Sequence, residues 1–149
     1  MNVTIRRASA EDMSAMMSLA ASADTSAHWS PEHYAQIFSQ PGREAFIADS
    51  PDGVMIGFLV AHILGEEWEI ENVVVTLSHR HTGVGKALIA AALKQARAKG
   101  ASHVQLEVRA SNAAAVRLYE ATGFRASGRR KNYYSGPVED ALLFTLQLT

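Results

Sequence analysis

The stretch Trp68-Glu69-Ile70-Glu71-Asn72-Val73-Val74-Val75, followed after four residues by Arg80-His81-Thr82-Gly83-Val84-Gly85-Lys86, decides the reading of this chain. An extended apolar run leads into a glycine-containing turn, and Val84, Ala87, Leu88, Ala91 and Ala92 then repeat at the one-face spacing of a helix. Such a turn is a place to hold an anion, because the first N–H groups of a helix lack internal partners and carry about half a positive charge. The stretch therefore predicts a phosphate-bearing ligand. Two common phosphate motifs fail on named positions. A P-loop ending at Gly85-Lys86 needs glycine where Arg80 stands and Ser or Thr where Ala87 stands; a dinucleotide fingerprint starting at Gly83 needs Gly or Ala at Leu88.

Outward from this stretch, residues 44–49 and 54–64 read as strands joined by Ser50-Pro51-Asp52-Gly53, and Gly65-Glu66-Glu67 reverses the chain again into 68–75. Three strands with tight turns predict an antiparallel meander. Downstream, Lys94, Arg97 and Lys99 suit the negative end of the central helix and Gly100 its termination. A strand over 103–108 turns Val104, Leu106 and Val108 one way and Gln105 and Glu107 the other. A helix follows over 112–122, stopped by Gly123, then strands near 124–130 and 141–148. Upstream, residues 2–7 alternate as a short strand, Ser9 and Asp12 open a helix carrying Met13, Met16, Met17 and Ala20, and Ser30-Pro31-Glu32 opens another through Phe38. The order is α+β with one crossover helix in the middle.

The 149 residues, nearly half hydrophobic, are read as one domain, 1–149, with a core that needs no metal or disulfide. A formal net charge of -1 argues against nucleic acid as the partner. With no cysteine there is no disulfide framework, no thiolate nucleophile and no Cys-based zinc site. The start MNVTIRRASAEDM has no apolar signal region and no run is long enough to span a bilayer, so the expectation is a cytoplasmic protein with no membrane contact. His79, His81 and His103 do not form a convergent ligand set in sequence, and no metal is predicted.

R-x-x-G-x-G after an apolar strand, with the later run LEVRASNAAAVRLYEATGF and then RRKNYY, resembles the GNAT N-acetyltransferases, and within them the bacterial ribosomal-protein alanine N-acetyltransferases (the RimI type). The resemblance runs from about Glu69 to Tyr134, with a weaker likeness at His28-Trp29-Ser30-Pro31-Glu32 to that family's substrate-side loop. It implies a mixed, mostly antiparallel sheet with a central splay, flanked by helices. It implies acetyl-CoA as cosubstrate: main-chain groups of Val73, Val74 and Val75 on the pantetheine arm, those of His81, Thr82, Gly83, Val84, Gly85 and Lys86 on the pyrophosphate, charge from Arg80 and Lys86, and a contact from Asn112. By the same resemblance Glu107 is the general base and Tyr119 the general acid, while Trp29, Glu69 and Tyr134 face the acceptor, a peptide or protein N-terminus such as that of a ribosomal protein.

The residue types permit these roles, and each has a plainer alternative. An α-amine with pKa about 8 is roughly one-tenth neutral at pH 7, against well under a thousandth of a lysine, so modest help from a carboxylate suffices. Glu107 is otherwise a solvated strand carboxylate, Tyr119 a core residue, Asn112 a helix cap, the glycines a turn, Tyr133 and Tyr134 aromatic packing, and Glu66, Glu67, Glu69 and Glu71 a solvated edge. Without cysteine an acetyl-cysteine intermediate is excluded and the amine attacks the thioester directly. A small-molecule amine as acceptor, or a non-catalytic acyl-CoA-binding module, are the rival functions.

Overall fold

The meander expected around residues 44–75 is present: β2 (Arg43–Asp49), β3 (Met55–Leu64) and β4 (Glu67–Val75) pair antiparallel in sequence order. The structure, a computed structural model, describes residues 2–23 and 29–149, so His28 of the expected substrate-side loop lies outside the described residues. Among the described residues β1 (Thr4–Arg7), β5 (His103–Arg109), β6 (Arg125–Tyr134) and β7 (Glu139–Gln147) complete one sheet in the order β1-β2-β3-β4-β5-β7-β6. Every pairing is antiparallel except β4 with β5. No helix is long and apolar enough to cross a membrane among these residues.

Helices cover both faces. α3 (Val84–Ala98) and the Tyr119 end of α4 (Ala113–Ala121) pack with Trp68, Ile70, Val104, Leu106 and Phe144, while α1 (Met13–Ala21) and α2 (Pro31–Ser39) cover Ala45, Ile47, Phe58, Val60 and Val74. The helix starts follow the side chains that sequence pointed to. Ser30 Oγ accepts from His33 N at 3.2 Å, Ser9 N donates to Asp12 Oδ2 at 2.8 Å, and Asn112 Oδ1 accepts from Ala115 N at 3.2 Å. At the other end of α3, Lys99 is the C-cap and its Nζ lies 2.7 Å from the buried Glu44, which Arg7 also meets at 2.7 Å, tying α3 to β1 and β2.

Two departures from the sequence reading matter. The buried side of α3 is wider than the expected stripe: Val84, Leu88 and Ala92 are buried, but so are Gly85, Ile89, Leu93 and Ala96, while Ala87 and Ala91 are half-buried. The wider stripe fits because Gly57 of β3 brings the sheet close. A Cβ there would stand 2.9 Å from Val74 O and 3.3 Å from Leu88 Cδ1 and Val84 Cγ1, and the main-chain oxygen cannot give way. The second departure is β6, which runs to Tyr134 rather than stopping near Arg130, because it continues through an irregularity that apolar alternation does not register.

The splay is built into β4. Its register against β3 shifts between Val60↔Asn72 and Ala61↔Ile70, so Glu71 is an extra residue without an opposite partner. Trp68 and Ile70 pack on the α3 side, whereas three residues past Glu71, Val74 packs on the α1–α2 side and Val73 and Val75 turn toward α3. β5 pairs with β4 only from Glu67↔His103 to Ile70↔Leu106 and parts from it at the bulge. Bulges increase local twist, which carries the end of β4 away from β5.

Candidate active site

Beyond Ile70 and Leu106 the two parted strands leave main-chain groups of β4 without ladder partners on the β5 side. A cleft of about 790 Å³ opens there, lined along β4 by Glu71 to Val75, at the α3 turn by Arg80, His81, Gly83, Gly85 and Lys86, and across from them by Glu107, Asn112, Tyr119 and Tyr134. The structure thus brings together Val73, Val74, Val75, Arg80, His81, Gly83, Gly85, Lys86, Glu107, Asn112, Tyr119 and Tyr134. A smaller hollow of about 420 Å³ between residues 125–127 and 145–147 holds none of them.

Thr82, Val84, Trp29 and Glu69 do not line the cleft. The Thr82 hydroxyl donates to His79 O within the turn, and the Val84 side chain is buried beneath α3, so each could meet a ligand through its main chain. Trp29 stacks on His33 at 4.4 Å and meets Tyr34 edge-on at 5.4 Å, at the start of α2. Glu69 lies on the same sheet face as Glu107, one pair before the splay.

The turn has the features an anion site needs. Gly83 is the N-cap of α3 with φ +91, and a Cβ there would meet nothing within 4 Å, so the space beside this backbone is open. His81, with φ +63, is a non-glycine residue in the left-handed region, which the sequence did not signal. Gly85 has another use: its Cβ would stand 3.0 Å from Leu118 Cδ2, so the residue lets α4 close on α3. Arg80 Nε donates to Val75 O at 3.3 Å, fastening the turn to the end of β4. The free N–H groups of α3, the open backbone at Gly83 and the cations Lys86 and Arg80 are a donor set that fits phosphate. Arg117, Ala114 and Ala115 of α4 and Arg109 of β5 also line the cleft. Sequence reasoning passed over them; three- and four-residue spacing from Asn112 and Leu118 on one helix was a signal for Ala114 and Ala115, and Arg117 and Arg109 carried none of that kind.

The acidic residues divide. Glu67 is engaged by His103 Nε2 at 2.9 Å and by the Gln105 amide, and Glu71 by Arg43 through Nε at 2.8 Å and Nη2 at 3.2 Å. His62, Glu69 and Glu71 offer ligand atoms within 4.8 Å of one another, but Arg43 already supplies the positive charge at that spot. Glu69 is left among carboxylates: its partial burial, then Glu71, Glu107 and Glu67, raise its pKa above the usual carboxylate value. Glu107 sits with its side chain one-quarter exposed, and Arg130 Nε lies 2.9 Å from its Oε1.

Tyr119 is buried with its ring 5.9 Å from Phe124, edge-on. Burial, with Tyr134 adding, pushes its phenol up to about 12, so it holds its proton throughout the neutral range. A raised phenol pKa contributes stability that is whole below the ordinary value of 10.0 and is lost as pH rises toward about 12. Tyr119→Phe should therefore flatten the alkaline fall in stability between those limits, removing a pH-dependent loss of about 3 kcal/mol, as read by urea denaturation at stepped pH.

The known proteins this chain is similar to bear on what the cleft does. The pattern of the acetyltransferase (GNAT) family matches residues 13–124. The chain is 32% identical over 123 residues, 81% of its length, to the [ribosomal protein bS18]-alanine N-acetyltransferase of Escherichia coli (strain K12), covering 82% of that protein. It superposes on the crystal structure of the ribosomal-protein-S18-alanine N-acetyltransferase from Escherichia coli with a TM-score of 0.89 at 28% identity, over 99% of this chain and 95% of that one. It superposes on a chain in the crystal structure of the NatC complex bound to Gag peptide and CoA with a TM-score of 0.88 at 25% identity, over all of both chains. The seven-stranded, mostly antiparallel sheet matches the fold of these enzymes, and the chain belongs to the GNAT family of acetyltransferases.

Proposed function

We propose that this chain, as a single domain over 1–149, transfers acetyl from acetyl-CoA to a protein N-terminal α-amine, the N-terminal alanine of a ribosomal protein being the acceptor. The observation that carries the reading is the single cleft that joins the open turn of α3, the edge of β4 from which β5 parts, and Glu107 with Tyr119. The similarity to ribosomal-protein alanine acetyltransferases over four-fifths of the chain supports the acceptor. The reading implies a cytoplasmic enzyme.

In this reading the turn of α3 and Lys86 take the pyrophosphate, and the β4 edge takes the pantetheine arm by main-chain hydrogen bonds. The acceptor amine reaches the thioester from the side of Glu107. Its nitrogen attacks the carbonyl carbon, the C–N bond forms, and an N–H donor of the parted strand holds the oxyanion. The ammonium proton passes to Glu107. The C–S bond then breaks, and Tyr119, still protonated at neutral pH, gives its proton to the departing thiolate.

A panel of peptides beginning with alanine, set beside polyamines and other small amines, tests the acceptor through CoA release. Peptide turnover without polyamine turnover is the expected result. Turnover of small amines alone defeats the N-terminal reading, and CoA release on no amine defeats catalysis. Mass spectrometry of proteome N-termini with and without the protein then names the acceptor.

A further inference from the structure

The end of β6 sends two side chains to one carboxylate in a way a regular strand cannot. Arg130 Nε lies 2.9 Å from Glu107 Oε1, and Tyr133 lies near enough to the same carboxylate for its negative charge to raise the Tyr133 phenol above its ordinary pKa. Residues three apart on a strand face opposite ways. Here Arg130 pairs with Ala141 and the next pair is Tyr134 with Glu139, so β6 takes four steps where β7 takes two. Asn132 sits in the left-handed region at φ +50 inside this bulge. Asp140 holds the bulge with both oxygens: Asn132 N donates to Oδ1 at 2.9 Å and Arg129 Nε to Oδ2 at 2.6 Å, contacts that keep the Asp140 carboxyl below its usual pKa. The result is a cluster in which Arg130 also lies 5.6 Å over the Tyr133 ring.

We propose that Arg130 is a positioning residue for Glu107, delivered by a β6 bulge that Asp140 holds, and that it sets a compensating positive charge beside the Glu107 carboxylate and keeps it in one orientation for the acceptor amine. The inference rests on the reading of Glu107 as the base. The surroundings of Glu107 make such a cation necessary. From β4 it faces Glu69, itself beside Glu67 and Glu71; from β6, the phenols Tyr133 and Tyr134; from α4, Tyr119 on the shared cleft; and from β7, the uncharged Leu143. Its strand neighbour Arg109 is committed elsewhere, 4.4 Å over the Tyr134 ring and 3.9 Å from Glu139. Among the described residues Arg130 is the cation paired with Glu107. Without it Glu107 and Glu69 face each other uncompensated, and the side chain loses the contact that fixes its orientation.

The test is the pH profile of kcat/KM for an acceptor peptide, expressed per concentration of neutral amine, in the wild type, Arg130→Ala, Arg130→Lys, Arg130→Gln and Asp140→Asn, with the Kd for CoA measured by calorimetry. Removing the cation should move the acidic limb of Arg130→Ala to higher pH by about half a unit and lower kcat/KM at neutral pH by about tenfold. Arg130→Lys should recover part of both, and Asp140→Asn should move the limb in the same direction by less. CoA affinity should stay within about twofold, which separates positioning from a general loosening of the fold. An unmoved limb with kcat/KM within about twofold in Arg130→Ala overturns the proposal; if that variant does not fold, the same outcome in Arg130→Gln does so. Glu107→Gln distinguishes the two levels. If it is inactive while the Arg130 variants keep the wild-type profile, positioning alone is wrong; if it turns over normally, the base reading fails and positioning with it.

Discussion

Glu107→Gln should lower kcat/KM for an N-terminal peptide by about 10²- to 10⁴-fold, with CoA binding nearly intact. The amide keeps the size of the carboxylate and can still accept from Arg130 Nε, so little stability is lost from a pair whose Arg side chain is more than half exposed. What disappears is the proton acceptor of the proposed mechanism. The groups offered to the phosphates belong to α3 and its turn, in another part of the chain, and their N–H donors are untouched by the change. Because the amine attacks in its neutral form in both enzymes, the loss should persist across the neutral pH range rather than being recovered as rising pH supplies neutral amine. A variant with unchanged turnover from acid to alkaline pH would remove Glu107 from the mechanism.

Trp68→Ala should destabilise the protein by about 3–5 kcal/mol, measured by urea denaturation, and Trp68→Phe by clearly less. Trp68 is 2% exposed and stands between Ile63 of β3 and Val104 of β5 in the ladder. The parallel contact between β4 and β5 is only four pairs long, so this side chain anchors the one place where the two halves of the sheet are joined by main-chain bonds. Loss of its volume leaves a cavity beneath the closed end of the splay, and rigid neighbours in a packed interior cannot fill it. A cost below about 1 kcal/mol would mean that β4 and β5 are held by their other contacts and that the anchor argument is wrong.

Much of this architecture was legible in the residues. Turn chemistry at Ser50 to Gly53 and the capping side chains Ser30 and Asn112 act locally, within three or four residues, so a one-dimensional reading finds them. The glycine turn and the alternation that turns Glu107 away from Val104 and Leu106 are local in the same sense. The β4 bulge was not legible. Trp68, Ile70, Asn72 and Val74 are all buried and alternate without a break, although the face they point to changes between Ile70 and Val74. Both faces of the sheet are covered there, so burial hides the switch. The β6 irregularity was hidden for the opposite reason: its residues are nearly all exposed, and an exposed strand carries no pattern to break.

The candidate site divides along the same line. The open helix start and glycine backbone of the turn over residues 80–86 were legible in sequence alone, because they are properties of consecutive residues. The sequence also excluded a cysteine intermediate outright. Which acids are free was decided only by the tertiary structure. Glu67, Glu69, Glu71 and Glu107 are alike in sequence, yet His103, Arg43 and Arg130 reach three of them from strands distant in the chain and leave Glu69 with its pKa raised. The charge state of a carboxylate depends on what lies within a few ångströms of it, and in a sheet whose neighbours are out of sequence order those groups come from far along the chain.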